Sequence, residues 1–174
     1  MFDRRLPFSR KRTDPDQANP THRRVFLVVV DDSDELHAAL RFACMRARNT
    51  GGRVALFTTV QQPEFQHWMF IGSLMQEENR LNAEQRLQAH AAQVHACSGE
   101  MPELLVREGD LREELLALLK EDDGISVVVL ATGSDQDGPG PLVSALTGKY
   151  ACKVRVPITL VPGHLSDAEI DALT

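Results

Sequence analysis

The 174-residue sequence predicts a doubly wound α/β domain built on an open five-stranded parallel sheet of order 3-2-1-4-5. Three observations carry that prediction. Two apolar runs, Val25 to Val30 without a break and Ile125 to Ala131 broken only by Ser126, read as strands buried on both faces. Strand-like runs then alternate with amphipathic stretches at the spacing of right-handed β-α-β crossovers. Finally, the second run empties into the glycine-rich segment Thr132 to Pro141 and a helical stripe. A strand, loop and helix in that order leave backbone N–H groups at the carboxyl edge of the sheet, where open α/β sheets bind small anions.

The elements follow in order. After the first strand, Asp31, Asp32, Ser33 and Asp34 can cap a helix and complement its dipole. Leu36, Ala39, Leu40, Ala43 and Ala47 repeat at helical spacing, and Gly51-Gly52 stops that helix. Val54 to Val60 is the second strand. The connection from Gln61 to Phe70 is rich in aromatics and either covers a pocket, packs on a partner or closes over the domain's own core. Ser73 to about Ala96 reads as the longest helix, with Ala83, Leu87, Ala91 and Val94 on one face.

Glu103 to Arg107 is a short strand, polar at both ends, which suits a sheet edge. Gly109 turns the chain, Asp110 caps, and Leu111, Leu115, Leu118 and Leu119 form the next stripe. Beyond the glycine-rich loop, Leu142, Val143, Leu146, Tyr150 and Val154 recur at helical spacing. Pro157 to Val161 is the last strand, ended by Pro162-Gly163, and Ser166 to Glu169 has capping-box spacing for a terminal helix. The boundaries are a basic leader over 1–22, a domain over 23–163 and a short helix over 164–174.

Composition narrows the function. A hydrophobic content of 43% and a charged content of 25% suit one globular domain. Residues 1–24 carry seven basic and three acidic groups, so the net charge of −6 leaves −10 for the remainder. An acidic body argues against nucleic-acid binding by the folded part. The leader reads as a flexible arm, disordered or loosely docked, and the spacing of Phe2, Leu6 and Phe8 would let it lay an apolar side on a neighbouring surface. No apolar run reaches the roughly 18–20 residues of a membrane span, and Arg4, Arg5 and Pro7 interrupt any signal-like start. Cys44, Cys97 and Cys152 are too scattered for zinc and too few for a disulfide framework. They fit a reducing cytoplasm, with Cys44 and Cys152 as core thiols. His90 and His95 do not share a helix face, and His37 falls on a solvated one. No nucleophile elbow, no Walker-type loop and no metal cluster marks a catalytic site.

Val28 to Ser33 with the Ala-Leu-rich helix after it, and Val128 to Gly133 with the closing Val156 to Pro162, together resemble universal stress proteins over about residues 24–163. The resemblance implies the HUP/adenine nucleotide alpha hydrolase-like fold, a cytosolic stress-response or regulatory binding module, and a homodimer paired through the last strand. It also implies an adenine nucleotide, ATP or AMP, contacted by Asp31 at the end of the first strand and by Gly133 in the loop; the candidate contacts extend to Ser33, Val60, Gly138, Gly140, Leu142, Val143 and Ser144. Asp31 and Ser33 keep an alternative role as helix caps.

The loop departs from the family pattern. Gly133 fits the first glycine position, but Gln136 and Leu146 stand where the second and third belong. Pro139 and Pro141 each lack an N–H donor, and Asp135 and Asp137 add negative charge beside a triphosphate. Pro141 nonetheless suits a first helical position, which leaves the N–H groups of Leu142, Val143 and Ser144 as donors for a smaller anion. Lys149 either reaches such an anion or stays solvated. The expectation is a binding module with a modified or lost ATP site. The alternatives are a functional nucleotide site, or a nucleotide-hydrolysing or nucleotidyl-transferring enzyme.

Overall fold

The computed structural model describes residues 23–61, 69–133 and 138–174, with side chains for all of these except residues 69–75. The basic leader, most of the aromatic connection, and Asp135, Gln136 and Asp137 lie outside the described residues.

Five strands, β1 (Val25–Val29), β2 (Arg53–Val60), β3 (Glu103–Glu108), β4 (Ile125–Thr132) and β5 (Ile158–Pro162), alternate with α1 (Leu36–Thr50), α2 (Met69–Ser98), α3 (Leu111–Glu121) and α4 (Pro141–Thr147). A fifth helix, α5 (Asp167–Leu173), ends the chain. All strand pairs are parallel, and the order is β3-β2-β1-β4-β5. The two apolar runs thus lie inside the sheet, and the polar-ended β3 lies at its edge.

Period-two alternation sorts side chains to the two faces. Phe26, Val28 and Val30 join Val54 and Leu56 under α1 and α2, where Ala39, Ala43, Leu87 and Val94 meet them. Val25, Leu27 and Val29 join Phe57 on the other face, against Leu115, Leu118 and Leu119 of α3 and Val143 and Leu146 of α4. The register between β1 and β4 slips between Val25 and Phe26, and the Val25 N–H donates to Ser126 Oγ at 3.3 Å across the slip. Gly51 takes φ 64° as the C-cap of α1. The Asp110 carboxylate accepts from the N–H groups of Arg112 and Glu113, and Ser166 with Glu169 forms a full capping box on α5.

Two elements differ from the sequence reading. Helix α2 begins four residues earlier than Ser73. Helix α4 stops at Thr147, so Tyr150 and Val154 are not on it. Gly148 leaves helical geometry at φ −104° and ψ −108°, and a Cβ there would stand 2.8 Å from the Ser144 carbonyl oxygen. Cys152 is exposed rather than a core thiol. It sits on the 3-10 turn Ala151–Lys153 that follows the broken helix.

Candidate functional site

Order 3-2-1-4-5 opens a crevice at the carboxyl ends of β1 and β4, because their connections depart to opposite sides. At its β1 side the chain is fixed to β2. The Val30 N–H donates to the Phe57 carbonyl at 2.8 Å, and the buried Thr58 hydroxyl donates to the Val30 carbonyl at 3.0 Å. Both polar groups are thereby satisfied inside the core.

The acidic loop beyond Val30 organises itself rather than the helix. Asp31 Oδ1 accepts from the Ser33 N–H at 3.1 Å and from Ser33 Oγ at 2.6 Å. This local turn occupies both residues, so neither side chain caps α1. The N-cap position belongs to Glu35, which makes no side-chain cap bond. Asp32 is tied to Arg86 of α2. Asp31 and Asp32 are exposed, and Ser33 and Glu35 are half-buried.

Glu35 is the residue the sequence reading missed. A Cβ built on Gly133 would stand 3.6 Å from Glu35 Oε1, and one built on Gly163 would collide with Glu35 Cβ and Cγ. The Glu35 side chain therefore lies over the ends of β4 and β5, across the first glycine of the expected cradle. Its position in the acidic run directly after β1 is the only sequence signal for this.

On the β4 side, Gly133 is exposed, and a Cβ there would stand 3.6 Å from the Gly138 carbonyl oxygen. Gly138 and Gly140 take φ values of 84° and 85°, which glycine adopts without strain. Pro141 opens α4 as expected. The donor set is smaller than the sequence suggested, because the Ser144 N–H is committed to the Gly140 carbonyl at 3.0 Å. Val143 has its side chain in the core, Leu142 is half-buried and Ser144 is exposed. Val60 ends β2, and its carbonyl accepts from the Gly109 N–H at 3.0 Å. Asp31, Gly133, Gly138, Gly140 and the start of α4 thus share one sheet edge, with Val60 one strand removed.

Helix α5 borders this edge. It begins at Asp167, four residues beyond Gly163, and packs Ile170, fully buried, on α1. Arg41 of α1 donates to both Asp171 carboxylate oxygens at 2.8 and 2.6 Å and contacts Asp167 at 3.0 Å. His37 is exposed on the solvated face of α1, as its position suggested, and its Nε2 lies 2.8 Å from Asp167 Oδ1. The Arg41 guanidinium holds the Asp171 carboxyl below its ordinary value, and the Ser166 hydroxyl and N–H do the same for Glu169.

The model of the universal stress protein family matches residues 22–162. The chain belongs to that family. Its fold is also that of solved universal stress proteins. The one titled universal stress protein UspA from Lactobacillus plantarum is 15% identical, with TM-score 0.65 over 80% of this chain and 97% of that one. A universal stress protein from Archaeoglobus fulgidus, titled as a complex with dAMP, is 19% identical, with TM-score 0.56 over 80% and 98%. Another, titled as a complex with cAMP, is 15% identical, with TM-score 0.58 over 81% and 98%. No curated relative matches the sequence. Among the described residues of this universal stress protein, no group of His, Cys, Asp and Glu could hold a metal, and no helix is long and apolar enough to cross a membrane.

Proposed function

We propose that the protein is a cytoplasmic stress-response or regulatory binding module, homodimeric through β5, whose crevice is remodelled away from triphosphate binding. The observation that carries this reading is the Glu35 side chain lying across Gly133 and Gly163. A carboxylate there sits where a polyphosphate would approach. At ~4 Å and an effective dielectric of about 20, each such like-charge contact costs about 4 kcal/mol before screening. The loss of the Ser144 donor and the missing N–H groups of Pro139 and Pro141 weaken the cradle further. The dimer reading rests on β5, an edge strand with Leu160 40% exposed.

A second reading keeps a working adenine nucleotide site. Asp31 at the end of β1 and the positive-φ glycines before Pro141 favour it, as do the solved universal stress proteins in complex with dAMP and with cAMP. Acid extraction and chromatography of the purified protein test both readings, together with thermal shift in millimolar ATP with magnesium and in AMP. The first expects no retained nucleotide and no shift. Retained ATP or AMP, weakened by Asp31→Ala, would replace it with the second. Turnover of ATP lost in Asp31→Asn would instead point to an enzyme.

A further inference from the structure

Helix α4 ends at Thr147, and the chain leaves helical geometry at Gly148. From Gly148 the chain runs alongside α3, anchored by Arg155, which donates to the carbonyls of Leu119 and Asp122 at the end of α3 and pairs with Asp123. Between α3 and this connection lies an open groove of about 580 Å³, lined by Leu116, Ala117, Tyr150, Lys120, Lys153, Arg155 and Glu113.

Its charge is unusual for this protein. Arg112 Cζ stands 5.1 Å from the centroid of the Tyr150 ring, Lys153 Nζ 5.2 Å and Lys149 Nζ 5.4 Å. One ring face attracts a cation but does not neutralise three. Among the described residues, no carboxylate forms an ion pair with Lys120, Lys149 or Lys153. Arg112 has Asp110 at 3.5 Å, while its Nε is shielded from solvent and has no partner. These cations gather on a chain that sums to −10 beyond residue 24.

We propose that this groove docks a short acidic segment of a partner protein. Carboxylates of the segment meet Lys149, Lys153 and Lys120, and an aliphatic side chain covers Leu116, Ala117 and the Tyr150 ring. The cations run along α3 from Arg112 to Lys120, about 12 Å at 1.5 Å per residue, a line longer than one phosphate reaches. The apolar floor has no complement in an inorganic anion. The acidic body repels an extended nucleic acid, whereas a short segment meets only the local positive field.

Tyr150 is the only tyrosine in the chain, so 3-fluorotyrosine labelling gives a single fluorine resonance inside the groove. The experiment titrates the labelled full chain with a synthetic peptide of sequence Glu-Glu-Leu-Glu-Glu-Leu. The resonance moves saturably, the movement shrinks at high salt, and affinity falls about tenfold or more in Lys149→Glu/Lys153→Glu. Far-UV circular dichroism checks that this variant is folded, and Lys149→Gln/Lys153→Gln replaces it if it is not. An unmoved resonance at millimolar peptide would overturn the proposal. So would equal binding by the charge variant, an equal response to the lysine counterpart of the peptide, or a response to inorganic phosphate or poly(U) RNA at lower concentration.

Discussion

Glu35 and Gly163 are in such close contact that a Cβ on the glycine has no room: it would meet the Cβ, Cγ and backbone Cα of the glutamate, the last at 3.2 Å. The contact joins the loop after β1 to the end of β5, two strands apart in the sheet. Gly163→Ala is therefore expected to destabilise the protein by about 1–3 kcal/mol, the usual cost of overpacking a site that cannot relax. Urea unfolding of Gly163→Ala, Glu35→Gly and the double variant checks this. The double variant should be more stable than the sum of the single effects predicts, because Glu35→Gly removes two of the three obstructing atoms.

Helix α5 is held by one buried apolar anchor and an exposed ionic fringe. Ile170→Ala should cost about 2–5 kcal/mol, since Ile170 is fully buried in the α1 cluster. Arg41→Ala should cost much less, because its pairs with Asp167 and Asp171 are open to water. Chemical denaturation separates the two.

The same fringe gives α5 a pH dependence. Asp171 and Glu169 have folded pKa values below their ordinary ones of 3.8 and 4.5. Their contribution is complete above those ordinary values and is lost as pH falls through the lowered ones. Amide exchange in α5 should accelerate in that acid range before exchange in β1 or β4 does. Equal protection in all three through the range would contradict this.

The three thiols should react in a fixed order. Cys152 is exposed, Cys97 is half-buried, and Cys44 is buried with its thiol pushed up to about 12, chiefly by burial and then by the neighbouring Cys97. The thiolate is the reactive form, so a disulfide reagent at neutral pH should label Cys152 first and Cys44 only on unfolding. Peptide mapping of a labelling time course reads the order directly.

If β5 is the dimer seam, Leu160 lies in it. Sedimentation should find a dimer in the wild type and a monomer in Leu160→Glu, with folding retained. A wild-type monomer at high concentration would remove the seam.

The sheet was legible because its signals are local and redundant. The apolar runs that begin at Val25 and Ile125 marked inner strands, and the polar ends of Glu103 to Arg107 marked an edge. Asp110 and Ser166 announced their helices through side-chain chemistry that acts within three residues. What stayed hidden depends on contacts far apart in the chain. The spacing of Tyr150 and Val154 matched a helix, yet Gly148 and the grip of Arg155 on α3 drew that segment away. Asp31 has the composition of a cap, but it finds Ser33 first. Glu35 stands out locally only by its place in the acidic run after β1, which does not tell that its side chain reaches glycines about 100 and 130 residues later.

Equilibrium dialysis of labelled ATP with magnesium against the wild type and Glu35→Ala tests the crevice most directly. The wild type should show no saturable binding at millimolar ATP, and Glu35→Ala should bind measurably better once the carboxylate over Gly133 is gone. Micromolar binding by the wild type, unchanged in Glu35→Ala, would contradict the account.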